Sequence, residues 1–124
     1  MTLEDDLTTA AAKGNTEEVE TLLGKGAQVN GLNCFERTAL QVMMMGSTPV
    51  AEVLLKHGAD PNLPDKNTGA TPLHDAAMTG FLDTVRLLVA CGANPQATDN
   101  TNCRPIDLAR KNGHGEVVDF LESL

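Results

Sequence analysis

Apolar residues return along this chain at a fixed interval. Leu7, Leu40, Leu73 and Ile106 are each 33 residues apart. Gly14, Gly46, Gly80 and Gly113 follow them at spacings of 32, 34 and 33. A second set of breaks lies at Gly26-Ala27, Gly58-Ala59 and Gly92-Ala93. Between the breaks run apolar stripes at helical steps: Val19, Leu22 and Leu23; Val53, Leu54 and Leu55; Leu82, Val85, Leu87 and Leu88; Val117, Val118, Phe120 and Leu121. Each period therefore predicts a helix, a glycine turn, a second helix and an extended segment.

The best-formed unit is Thr71-Pro72-Leu73-His74-Asp75-Ala76-Ala77-Met78-Thr79-Gly80. Thr71 can cap a helix through its hydroxyl. Pro72 suits the first helical position, where its missing N–H has no partner to lose. Leu73 faces the core, and His74 can hydrogen-bond back to the turn it came from. Ala76 and Ala77 let a neighbour pack close, and Gly80 permits the tight break. A T-P-L-H-x-A opening with a period of 33 is the signature of the ankyrin repeat. The chain is thus expected to be an all-α ankyrin-repeat solenoid of four helix-turn-helix repeats with extended fingers. The repeats fall at about 4–33, 34–65, 66–98 and 99–124, within one domain spanning 1–124.

The repeats differ in detail. The first helix is expected to open at Asp5 or Asp6, and Thr16 to cap the second. Thr38 to Gly46 is one residue shorter than Thr71 to Gly80. The first helix of repeat two is therefore shortened, and Val42-Met43-Met44-Met45 replaces the usual small residues. Ser47 or Thr48 is expected to cap the helix after it. Asn100 and Asn102 lie at a finger tip, where positive φ is expected.

Charge and composition narrow the function. The net charge of −8 argues against nucleic acid and anionic membranes and favours a partner with a basic face. Cys34, Cys91 and Cys103 are odd in number and lack C-x-x-C spacing, so free thiols are expected rather than disulfides or a zinc site. No basic leader or ~20-residue apolar run is present, so a soluble, intracellular protein is expected; a monomer present in cytoplasm and nucleus is the accompanying expectation. No phosphate-binding glycine loop, H-E-x-x-H or G-x-S-x-G occurs. His74 beside Asp75 is a possible base in sequence only; its place in the helix opening gives it a structural role. No enzyme activity, metal or cofactor is expected.

Two segments carry a closer resemblance. Gln41-Val42-Met43-Met44-Met45-Gly46-Ser47, and His74-Asp75-Ala76-Ala77 through Gly80-Phe81-Leu82-Asp83-Thr84, resemble the ankyrin-repeat inhibitors of cyclin D-dependent kinases, in their four-repeat, tumour-suppressor form. The shortened second repeat is also a mark of that branch, and the resemblance runs from about Leu7 to Leu121. It implies binding to the kinase catalytic subunit, distortion of its lobes, weakened cyclin binding and arrest in G1 phase. It also implies partner contacts at Asp75, Asp65, Asp83, Glu17, Met44 and Phe81, with Asp75 pairing to a kinase arginine. Thr71, Pro72, His74 and Gly80 are structural. Either Met43 or Met44 faces the partner, with Met44 the choice made here. Met78 stands where relatives usually carry Arg, and Glu36 replaces a finger-tip Gly. The alternative is a passive ankyrin adaptor that binds another protein without kinase inhibition.

Overall fold

The computed structural model describes residues 2–124, and they form two compact units, Met1–Asp60 and Pro61–Leu124. The first contains α1 (Leu3–Ala12), α2 (Thr16–Gly24), α3 (Ala39–Val42) and α4 (Thr48–Lys56). The second contains α5 (Pro72–Thr79), α6 (Leu82–Ala90), α7 (Pro105–Lys111) and α8 (Gly115–Glu122). Among the described residues there is no strand. The chain is all-α, built of helix-turn-helix ankyrin pairs, with extended segments between them.

One device opens the first helix of every pair. The residue at the third helical position turns back to the backbone N–H of the cap. Thr2 N–H donates to Asp5 at 3.1 Å, Thr38 N–H to Gln41 at 2.7 Å, Thr71 N–H to His74 at 3.1 Å and Arg104 N–H to Asp107 at 2.9 Å. In the first three, the threonine hydroxyl accepts the return bond. Arg104 has no hydroxyl, and its guanidinium pairs with Asp107 at 3.4 Å instead.

The repeating apolar positions form the core of each unit. Leu7, Leu40, Leu73 and Ile106 are buried, as are Leu22, Leu54, Leu88 and Leu121 on the second helices. Burying each such side chain contributes about 1.5–3 kcal/mol. Ala10 and Ala11 on α1, and Ala76 and Ala77 on α5, are also buried. They let α1 pack on α3, and α5 on α7.

Asparagines fasten the extended segments within each unit. In the first unit, Asn30 donates to Gly58 O at 3.1 Å and accepts from Asp60 N–H at 2.8 Å. In the second, Asn62 does the same with Gly92 O at 3.0 Å and Asn94 N–H at 2.8 Å. Gln96 takes the same register, and Arg104 donates to it at 3.4 Å.

The shortened helix is real, and its loss is made good elsewhere. α3 has four residues, against ten in α1 and eight in α5. From Leu40 to Leu54 is 14 residues, one fewer than from Leu73 to Leu88. The next finger is one residue longer. Its closing bond runs from Asp65 N–H to Ala70 O, whereas the other fingers close Asn33 to Arg37 and Asp99 to Cys103. The extra finger residue restores the 33-residue leucine spacing.

Several helix starts differ from the sequence expectation. α1 opens at Leu3 with Thr2 as cap, because Asp5 serves as the third helical residue, not the first. Asn15, not Thr16, caps α2 by accepting from Glu18 N–H at 3.2 Å. Ser47 occupies the cap of α4 but makes no capping bond through its side chain. Asn102 has φ 64, whereas Asn100 does not lie in the left-handed region. Asn100 instead reaches the preceding finger, with its N–H on Thr68 O at 2.9 Å and its amide on Asn67 O at 3.1 Å.

Candidate protein-binding site

In the first unit, Glu17 is exposed in the first turn of α2, where an acid complements the helix dipole. Met44 follows the end of α3. Met43 leaves the helix with ψ 155, so the three methionines are not helical. They form a bend and a turn, the turn closed by Ser47 N–H on Met44 O at 2.8 Å. Met43 and Met45 are buried, and Met44 is 51% exposed. Met44 N–H donates to Ala11 O at 3.1 Å, the last turn of α1. Its sulfur sits over Gly14, close enough that a Cβ there would lie 3.3 Å away. The fold thus places Met44 against the α1–α2 turn, three residues before Glu17.

In the second unit, Asp75 is half-buried in the first turn of α5, and Thr79 Oγ1 donates to its carbonyl at 2.8 Å. Gly80 closes α5 at φ 83. A side chain there would also meet the ring of His114, 2.5 Å from the Cβ position. Phe81 comes next, 44% exposed, with its N–H on Ala76 O at 3.1 Å. Asp83 is exposed in the first turn of α6. Phe81 and Asp83 therefore sit at the turn between α5 and α6, and Asp75 in the opening turn of α5. Asp65 lies in the finger before α5. Its carboxylate accepts from Asn67 N–H at 2.7 Å and Thr68 N–H at 3.2 Å, which shapes the turn.

His74 holds this arrangement from below. It is fully buried. Nδ1 accepts from Thr71 N–H, and Nε2 lies 2.8 Å from Cys103 O, 29 residues on. The second bond requires the proton on Nε2. His74 therefore serves its own helix opening and the next finger together. In the first unit, Thr8 and Asn33 make the matching link at 3.1 Å.

Three carboxylates at helix and finger starts are held below their ordinary value of 3.8. Backbone bonds from Thr2 and Cys34 lower Asp5 against a small opposing effect of burial. Burial alone would raise Asp99, but bonds from Cys103 and Thr101 outweigh it. The Arg104 N–H and guanidinium lower Asp107.

The sequence reading missed exposed apolar surface. Phe35 is 75% exposed at the first finger tip, and Leu32 beside it 48%. The available signal was an aromatic residue outside the 33-residue apolar register. The thiols of Cys34 and Cys91 are free and exposed, and that of Cys103 is free and half-buried. Among the described residues no cluster of side chains suits a metal ion, and no helix is long and apolar enough to cross a membrane.

Short helix pairs, hydrogen-bonded fingers and exposed acids and apolar groups at the turns define a repeat scaffold for binding protein. The sequence matches the family described as ankyrin repeats, in three copies, over residues 7–65 and 46–123. It is 48% identical over 120 residues to Cyclin-dependent kinase 4 inhibitor B of Homo sapiens, covering 97% of this chain and 87% of that protein. It is 49% identical over 119 residues to Cyclin-dependent kinase inhibitor 2A of Homo sapiens, covering 96% and 76%. The Monodelphis domestica form of the latter is 48% identical over 120 residues, covering 97% and 70%. The chain belongs to the ankyrin-repeat family of cyclin-dependent kinase inhibitors.

Proposed function

We propose that this protein binds the catalytic subunit of cyclin D-dependent kinases and inhibits it. One observation carries the reading: 48% identity over nearly the whole of this chain and 87% of human Cyclin-dependent kinase 4 inhibitor B. Bound protein distorts the two kinase lobes and weakens cyclin binding, which holds the cell in G1 phase. The protein acts in the cytoplasm and nucleus.

Asp83 and Phe81 supply a carboxylate and an aromatic ring at the start of α6, and Asp75 a carboxylate in the first turn of α5. The carboxylate of Asp75 pairs with a guanidinium of the kinase, the strongest class of hydrogen-bonded ion pair. Asp65, Glu17 and Met44 add contacts from the finger and from the first unit. The protein works by binding and not by catalysis. The one imidazole adjacent in sequence to a carboxylate, His74, is fully buried with both ring nitrogens engaged.

The test is phosphorylation of a protein substrate by an assembled cyclin D–kinase complex at rising concentrations of this protein. Activity is expected to fall to background as the kinase is saturated. Kinase that binds the protein and keeps full activity would return the reading to a passive adaptor.

A further inference from the structure

The tip of the first finger carries apolar surface that the fold does not use. Phe35 is the most exposed of the large apolar side chains, and Leu32 precedes it by three residues. A loose loop does not explain this. The Asn33 carboxamide oxygen accepts from Phe35 N–H at 2.8 Å and from Arg37 N–H at 3.1 Å. Two backbone bonds of 2.9 Å close the same turn, from Asn33 N–H to Arg37 O and from Glu36 N–H to Asn33 O. Cys34 N–H is fixed on the carboxylate of Asp5 in α1 at 2.8 Å.

The turn also holds Glu36 at φ 61. That is the left-handed region, which any residue with a Cβ disfavours. The matching position of the next finger is Gly69, at φ 74. Phe35 is thus presented by an ordered turn in a costly conformation. The backbone that carries the ring is already ordered, so binding need not order it, which suits an interface anchor.

We propose that Phe35, flanked by Leu32, is a second anchor for the kinase catalytic subunit. It would enter an apolar pocket rimmed by basic side chains. The proposal rests on the inhibitor reading above and adds a contact in the first unit. Charge argues for this occupant over a second copy of the chain. The first unit holds nine acidic side chains against four basic. Glu4, Asp5 and Asp6 lie on the helix that anchors the finger, and Glu36 adjoins the ring. A second copy would bring like charges together, which opposes association, whereas a basic rim complements them.

The experiment is titration of purified kinase catalytic subunit with wild type, Phe35→Ser, Phe35→Tyr and Asp75→Asn. Thermal melts and sedimentation accompany each protein. Phe35→Ser is expected to melt as wild type does, because the ring is exposed, and to bind at least about 10-fold more weakly. Phe35→Tyr keeps the aromatic body and is expected to bind close to wild type. Unchanged kinase binding by Phe35→Ser would overturn the proposal while leaving the inhibitor reading intact. Self-association of wild type, abolished by Phe35→Ser with kinase binding unchanged, would overturn it in favour of a second copy. Failure of wild type to bind at micromolar concentration would overturn both.

Discussion

At the scale of single residues, His74 shows how one side chain can do two jobs. Its Nδ1 completes the helix opening of α5, and its Nε2 holds the carbonyl of Cys103 on the following finger. Removing the ring takes the acceptor from the Thr71 N–H, removes one of the two donors to the Cys103 carbonyl, which keeps Asp99 N–H, and leaves a cavity where the buried imidazole was. His74→Ala is expected to cost about 3 kcal/mol of stability, read from urea unfolding. A loss below about 1 kcal/mol would show that water or relaxation replaces the imidazole. The bond to the near turn was legible in T-P-L-H, because it spans three residues. The bond to Cys103 was not, because a partner 29 residues away depends on how two repeats stack. Phe35 was overlooked for a related reason. Exposure depends on what surrounds a side chain, and hydrophobicity alone does not reveal it.

Elements were legible wherever the 33-residue pattern was regular. The leucine and glycine positions located all the helix pairs, and the missing residue in repeat two marked α3. The caps were less legible, since Asn15 and Thr16, or Thr2 and Asp5, are adjacent or nearby residues of the same capping class. The methionine segment follows the short helix as a bend and a turn, with Met44 facing outward. A four-residue helix has few internal bonds to lose. The amides of α3 and of Met43 are therefore expected to exchange with solvent faster than those of α5, as hydrogen exchange would record. Equal protection in the two helices would contradict this.

The carboxylates at element starts also set a pH dependence. Asp5, Asp99 and Asp107 have lowered pKa values in the folded state. Their contribution is fully present above the ordinary value of 3.8 and is lost as pH falls through the lowered folded values. Unfolding free energy is therefore expected to hold from pH 7 to about 5 as far as these groups act, and to fall below about pH 4. Asp99→Asn should show a smaller drop over the acid range. An identical drop in wild type and variant would remove Asp99 from that account.

At the scale of the whole molecule, the chain is an acidic repeat protein of the cyclin-dependent kinase inhibitor family, and the proposed partner surface is basic. The fold was legible because each repeat restates it. The site was legible only through resemblance, because Asp75, Asp83 and Glu17 are also ordinary acids of helix first turns, where the dipole alone favours them by about 0.3–1 kcal/mol. The two roles separate by where the loss falls. A dipole role costs stability, whereas breaking a desolvated charge pair costs about 2–5 kcal/mol of binding. The most direct measurement is titration of the isolated cyclin D-dependent kinase catalytic subunit with wild type and Asp75→Asn, each checked by thermal melting. The account predicts nanomolar binding by wild type, lost by a factor of at least about 30 in a variant that melts normally. Absence of wild-type binding at micromolar concentration would contradict it.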